Sequence, residues 1–169
     1  MEGPVQWVVT DLRRCLACLN RPPYRRVMRI SDVVKHKGDQ VITIRSDATV
    51  GELLALLSEH RIGAVVVSDD GEGVNGIVSE RDVVRHLHSA GPSVLDGQVG
   101  AIMTREVRTC TLDDSLDDLE NQMTEHRIRH VPVVQEGRLA AIVSIGDVVK
   151  NRMSALQSER DQLRDYISQ

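Results

Sequence analysis

Two short motifs in this chain have residue types and spacing that could do chemistry, Ser79-Glu80-Arg81-Asp82 and Ser144-Ile145-Gly146-Asp147. Each sets a hydroxyl three residues ahead of a carboxylate, directly after an apolar run, Gly76-Ile77-Val78 in the first and Ala141-Ile142-Val143 in the second. That spacing is close to a capping box, whose cap residue is worth ~0.5–2 kcal/mol without any ligand. A strand running into a helix N-terminus also gathers unpaired N–H groups and the positive end of the helix dipole, which suit an anion such as phosphate. Cations lie close in the sequence: Arg81 inside the first motif, and the pair Arg129-His130 upstream of the second.

Other chemistry is thinly supplied. The sequence holds no G-x-S-x-G elbow, no P-loop and no H-E-x-x-H pair. His60 and His126 fall at repeat-related positions without a Cys or Ser partner in view. No catalytic residue is assigned, and no enzyme is expected. Of the three cysteines, Cys15 and Cys18 have CxxC spacing, but no second pair completes the four ligands of a zinc site. They read as ordinary thiols, and no metal site is expected. Three cysteines make no disulfide framework, and free thiols suit a reducing, cytoplasmic setting.

The elements that must position these motifs come in two copies. Glu59-His60-Arg61-Ile62 recurs as Glu125-His126-Arg127-Ile128, and Asp47-Ala48-Thr49-Val50 answers to Asp113-Asp114-Ser115-Leu116, both at an offset of 66. Ile77–Val84 returns as Ile142–Val149 at an offset of 65. The slip of one falls between Ser68 and Gly76, in an Asp/Gly-rich stretch where an extra residue is cheap. Each unit reads as a lead (Ile30 to Val34; Val99 to Met103), an extended stretch (Val41 to Ile44; Val107 to Cys110) and a helix. Val50, Leu53, Leu54 and Leu57 lie on one helical face in the first unit, as do Leu116, Leu119 and Met123 in the second. Thr49-x-x-Glu52 and Ser115-x-x-Asp118 predict capping boxes. Two strands around a turn follow, Ala64–Val67 with Val74–Val78 and Val131–Val134 with Leu139–Val143. A second helix, from Glu80 or Ile145, closes each unit.

The expected fold is therefore mixed, α/β of the α+β kind: two β-α-β-β-α repeats packed sheet to sheet about a pseudo-twofold axis. Hydrophobic residues make up 41% of the chain with no Phe and one Trp, so the core is aliphatic. The divisions are a poorly ordered N-terminal extension over 1–27, with a short helix from Asp11 to Leu19, repeat one over 28–90, repeat two over 91–150, and a C-terminal helix over 151–169. Ser89-Ala90-Gly91-Pro92-Ser93 is a linker by composition. The C-terminal helix carries Met153, Leu156, Leu163 and Ile167 in steps of three and four, with Arg160 filling the gap. A net charge of −4 argues against a general nucleic-acid partner, and no apolar run reaches the ~18–20 residues that cross a bilayer.

On the paired motifs and on His126-Arg127-Ile128-Arg129-His130-Val131-Pro132-Val133-Val134, the chain resembles the CBS (cystathionine-beta-synthase-type) domain family over Met28 to Lys150. The resemblance implies a module with two clefts that take AMP, ADP, ATP or another adenosine compound such as NAD(H), as a regulatory ligand and not a catalytic cofactor. It makes Asp82 and Asp147 the ribose residues, one per cleft, and a carboxylate can accept both bonds of a 2′,3′-diol. Ser79, Arg81, Arg129, His130 and Ser144 are the implied phosphate contacts. In the family's AMP-activated kinase relatives the basic pair runs in the other order. Thr43, Ile62, Gly63, Ala64, Thr109 and Ile128 are the implied adenine and backbone contacts, the small Gly63-Ala64 pair admitting a base against the backbone. It also implies a homodimer, a disc of four repeats, and output through a separate effector protein. S-adenosylmethionine, metal ions and a purely structural role with empty clefts are alternatives within the same resemblance.

Overall fold

The computed structural model describes residues 28–35 and 41–168. The extension over 1–27, with its short helix and the Cys15/Cys18 pair, lies outside them. The first unit runs α1 (Ile30–Val34), β1 (Thr43–Ile44), α2 (Val50–His60), β2 (Ala64–Val67), β3 (Gly76–Ser79) and α3 (Glu80–Ala90). A 3-10 turn, Pro92–Asp96, leads to α4 (Val99–Ile102), α5 (Leu116–His126), β4 (His130–Gln135), β5 (Arg138–Ser144) and α6 (Ile145–Ile167). The expected linker is shorter than its composition suggested: Ser89 and Ala90 belong to α3, which Gly91 ends at a φ of 72°. The expected second closing helix and C-terminal helix are one continuous α6 of 23 residues.

The helices form where the periodicity puts them. Val50, Leu53 and Leu57 are the buried stripe of α2, and Leu116, Leu119 and Met123 that of α5. Glu52 returns to the Thr49 amide at 2.8 Å while its own amide reaches Thr49 Oγ1 at 3.2 Å, so the first capping box is complete. These bonds from Thr49 hold the Glu52 carboxyl below its ordinary range. The second differs from expectation: Ser115 accepts from the Asp117 amide at 3.1 Å, and Asp118 makes no reciprocal bond.

In the first sheet β1 pairs parallel with β2, and β2 antiparallel with β3. The second sheet is the antiparallel pair β4–β5, and Cys110 bridges Val133 in the parallel sense where β1 would lie. The β4–β5 turn is Glu136-Gly137, both at positive φ, the arrangement of a tight two-residue hairpin. In unit one the turn is a longer loop gathered by Asp70 Oδ1, which accepts from Ser68 Oγ, the Glu72 amide and the Gly73 amide. The extra residue of the repeat is absorbed there.

Strand alternation gives each sheet two faces. Val65, Val67 and Val78 face α2 and α3, and Val131, Val133, Ala141 and Val143 face α5 and α6. Ala64 and Val66 point the other way and are buried too, as sheet-to-sheet packing requires.

The leads cross between the units. Ile30 and Val33 of α1 pack into the second unit's core with Leu116, Leu119 and Met123. Ile30 N–H donates to Asp114 O at 3.1 Å, and Leu116 N–H to Met28 O at 2.9 Å. Val99 and Ile102 of α4 pack in turn with Val50, Leu53 and Leu57 of the first unit. Val50 N–H donates to Gly97 O at 2.9 Å, and Val99 N–H to Ala48 O at 2.8 Å. Each lead precedes one unit in sequence and completes the other in space. No helix among the described residues is long and apolar enough to cross a membrane.

This exchange yields a directional outcome. Ile30→Ala should cost about 2–5 kcal/mol, the range for truncating a buried aliphatic side chain. Urea unfolding followed by circular dichroism measures the cost. Hydrogen exchange under native conditions should quicken in β4–β5 more than in β2–β3; the opposite pattern would place α1 on its own unit.

Candidate functional site

Both serine-aspartate motifs sit where a strand meets a helix. Ala64 pairs with Ser79 and His130 with Ser144, so each motif lies beside its own unit's helix-to-strand junction. Asp82 Oδ2 accepts from the Ser79 amide at 2.9 Å and from Ser79 Oγ at 2.6 Å. Asp147 Oδ2 does the same for Ser144, at 2.8 and 2.7 Å. Each Asp that the resemblance makes a ribose residue is therefore also part of a capping box. One carboxylate oxygen of each Asp serves the cap, because the N3 side chain of a capping box reaches back to the N-cap amide.

The junctions are shaped by two arginines. Arg61 and Arg127 end α2 and α5 in the left-handed region, at φ 53° and 54°. A left-handed residue turns the chain sharply out of the helix. It delivers Ile62-Gly63-Ala64 in one unit and Ile128-Arg129-His130 in the other to the strand edge. Glu80 N–H then donates to Gly63 O at 3.1 Å, and Ile145 N–H to Arg129 O at 2.9 Å.

A cleft of about 290 Å³ opens between the units. Val41, Ile42, Arg61, Ile62, Gly63 and Ala64 line it from the first unit, and His130, Ala141, Ile142 and Ser144 from the second. Of the residues expected from sequence, it brings together Ile62, Gly63, Ala64, His130 and Ser144. Asp147 stands one helical turn beyond Ser144 and is bonded to it. Thr43 lies in β1, paired with Val66, one residue past the lining. Ser79, Arg81 and Asp82 belong with the first unit's motif, and Arg81 is exposed. Thr109 and Arg129 are exposed, and Ile128 packs against the second unit's core.

Sequence reasoning missed Val41, Ile42, Arg61, Ala141 and Ile142. Val41 and Ile42 were legible as an extended lead but not as a wall. Arg61 was visible in the repeat, yet nothing in the sequence marks its left-handed conformation. The cleft mixes the small junction of one unit with the motif of the other, a pairing that comparing repeats in sequence cannot find.

The cleft can hold a flat apolar group between Ile42, Ile62 and the Gly63-Ala64 backbone, with polar groups at its Ser144 and His130 end. A Cβ at Gly63 would make only ordinary contacts, 3.6 Å from Glu80 Oε2 and 3.8 Å from His130 Cε1. Cys110 offers no nucleophile, since burial first and the Asp114 carboxylate second push its thiol up to about 12. Among the described residues no group of three His, Cys, Asp or Glu side chains could hold a metal.

The CBS-domain family model matches the chain twice, over residues 30–89 and 99–154. A mitochondrial CBS domain-containing protein of Arabidopsis thaliana is 36% identical over 146 residues, 82% of this chain and 71% of that protein. Among solved structures, a CBS-domain containing protein from Agrobacterium tumefaciens is 41% identical with a TM-score of 0.73, covering 78% of this chain and 99% of that one. A CBS domain protein from Pyrobaculum aerophilum, solved in complex with AMP, is 30% identical with a TM-score of 0.63, covering 71% of this chain and 89% of the other.

Two glycines at the strand ends should respond differently to a methyl group. Gly63→Ala meets only ordinary van der Waals contacts and should leave the melting temperature unchanged. At Gly76 a Cβ would stand 2.6 Å from Met103 Sδ and 3.0 Å from Thr104 O. Gly76→Ala should destabilise by about 1–3 kcal/mol, the usual cost of overpacking. Thermal denaturation of both variants checks the pair; equal melting temperatures would contradict the packing described.

Proposed function

The chain belongs to the CBS-domain family, and from that premise we propose that it is a non-catalytic regulatory module that binds an adenine nucleotide in the cleft between its units. The observation that carries this reading is the composition of the cleft wall. Gly63 and Ala64 are small residues set beside Ile42 and Ile62, a slot with apolar walls suited to the faces of a purine. In this reading Asp147 takes the ribose hydroxyls of this cleft, Ser144 joins the phosphate contacts and Thr43 meets the adenine. His130, with Arg129 beside it, takes the phosphate. The related cleft draws on Thr109, Ile128, Ser79, Arg81 and Asp82. The AMP complex of the Pyrobaculum relative supports the ligand class. ADP, ATP and NAD(H) share the adenosine part on which the argument rests.

In this reading ligand binding between the units alters their relative setting and so signals to a separate effector protein. A homodimer is part of the same proposal. Val83 and Val148 are core residues, whereas Val84 and Val149 beside them are 65% and 50% exposed. These repeat-related valines are the surfaces through which a second module would pack. A reducing compartment such as the cytoplasm suits the buried free thiol of Cys110.

Isothermal calorimetry with AMP should give a dissociation constant near micromolar, about −8 kcal/mol. Asp147→Asn keeps an acceptor for the Ser144 cap but removes the charge, and should weaken binding by about 1.5–3 kcal/mol. Melting-temperature scans with AMP, ADP, ATP and NADH at millimolar concentration would refute the reading if none gave a shift.

A further inference from the structure

The first turns of α6 are locked in rotation about the helix axis. Val148 is buried in the second unit's core. Arg152, one turn on, forms ion pairs with Asp117 and with Glu120 of α5, the latter at 3.1 Å. These anchors fix which way the rest of the helix points. Val149, Met153, Leu156, Leu163 and Ile167 follow at steps of four, three, seven and four, with Arg160 inside the gap of seven. At 3.6 residues per turn all six fall on one narrow stripe. The stripe faces solvent: Leu156 and Leu163 are 63% and 57% exposed. From Met153 to Ser168 every residue of this region is exposed.

A 4-3 alternation is the spacing that lets two helices wrap as a left-handed pair, each stripe covering the other. We propose that α6 pairs, parallel and in register, with α6 of a second copy, so that unit two faces unit two across the dimer. The charges beside the stripe select this occupant and direction. In a parallel pair Glu159 of one helix stands beside Arg160 and Arg164 of the other, and the reciprocal contacts repeat by symmetry. Arg160, at an inward position, keeps its stem against the seam while its charge reaches Glu159 across it, which sets the register. An antiparallel pair would bring Glu159 against its own copy. The stripe is also continuous with the exposed Val149 patch, so the seam extends the dimer surface proposed above.

The orientation rests on that dimer, and two measurements separate the claims. The full chain carrying Cys15→Ser and Cys18→Ser, with Cys110 buried, takes Leu163→Cys as a probe. Mild oxidation should convert most of it to a disulfide dimer, because parallel in-register helices bring position 163 against itself. Ser158→Cys, on the opposite face, should stay uncrosslinked. Glu159→Lys should weaken dimerisation several-fold, and adding Arg160→Glu with Arg164→Glu should restore it. Light scattering at micromolar concentration reads the mass. A dimer without the Leu163→Cys crosslink would overturn the parallel pairing and leave the dimer standing; a monomer would overturn both.

Discussion

Ile30 and Val33 sit among Leu116, Leu119 and Met123, while Val99 and Ile102 sit among Val50, Leu53 and Leu57, so each unit's core is closed by a segment that precedes the other unit. Burying a large aliphatic side chain is worth roughly 1.5–3 kcal/mol. Four such side chains amount to about the whole margin of 5–15 kcal/mol by which a domain stays folded. The two units therefore cannot be separated without opening both cores. The cleft therefore lies between two units that this exchange holds together.

On this nearly symmetric frame the repeats carry the same local devices with different contents. Both α2 and α5 end in a left-handed arginine. Both α3 and α6 begin with a serine whose amide and hydroxyl are bonded to an aspartate three residues on. What differs is what the devices present: Gly63-Ala64 against Arg129-His130 at the junctions, and Glu80-Arg81 against Ile145-Gly146 in the first helical turn. A symmetric scaffold with asymmetric side chains therefore presents unlike junctions. The cleft described here joins the small junction of unit one to Ser144 and His130 of unit two.

The difference between the closing helices has a comparable physical origin. α3 stops at Gly91, whose positive φ and following Pro92 prevent continuation. α6 meets no such residue after Lys150 and runs on to Ile167. Once Val148 and Arg152 are fixed against α5, an apolar stripe is carried into solvent by helical geometry alone.

The sequence by itself determined the elements and their order. Apolar period, cap residues and the 65–66 residue repeat are local or one-dimensional signals, and they located α2, α5, the paired strands and both serine-aspartate motifs. They left β1 two residues shorter than expected and supplied only a single bridge at Cys110, because an edge strand's extent is set by its partner and not by its own residues. They also could not distinguish Val83 from Val84 as core or surface, a choice made by the rotation of α3 on its sheet. Tertiary structure alone decided the crossing of the leads and the meeting of Gly63 and Ala64 with Ser144 across the units. Those outcomes depend on contacts between residues some 40 to 90 positions apart. Such contacts are chosen by which buried surfaces fit together once the elements exist, and no spacing along the chain encodes that fit.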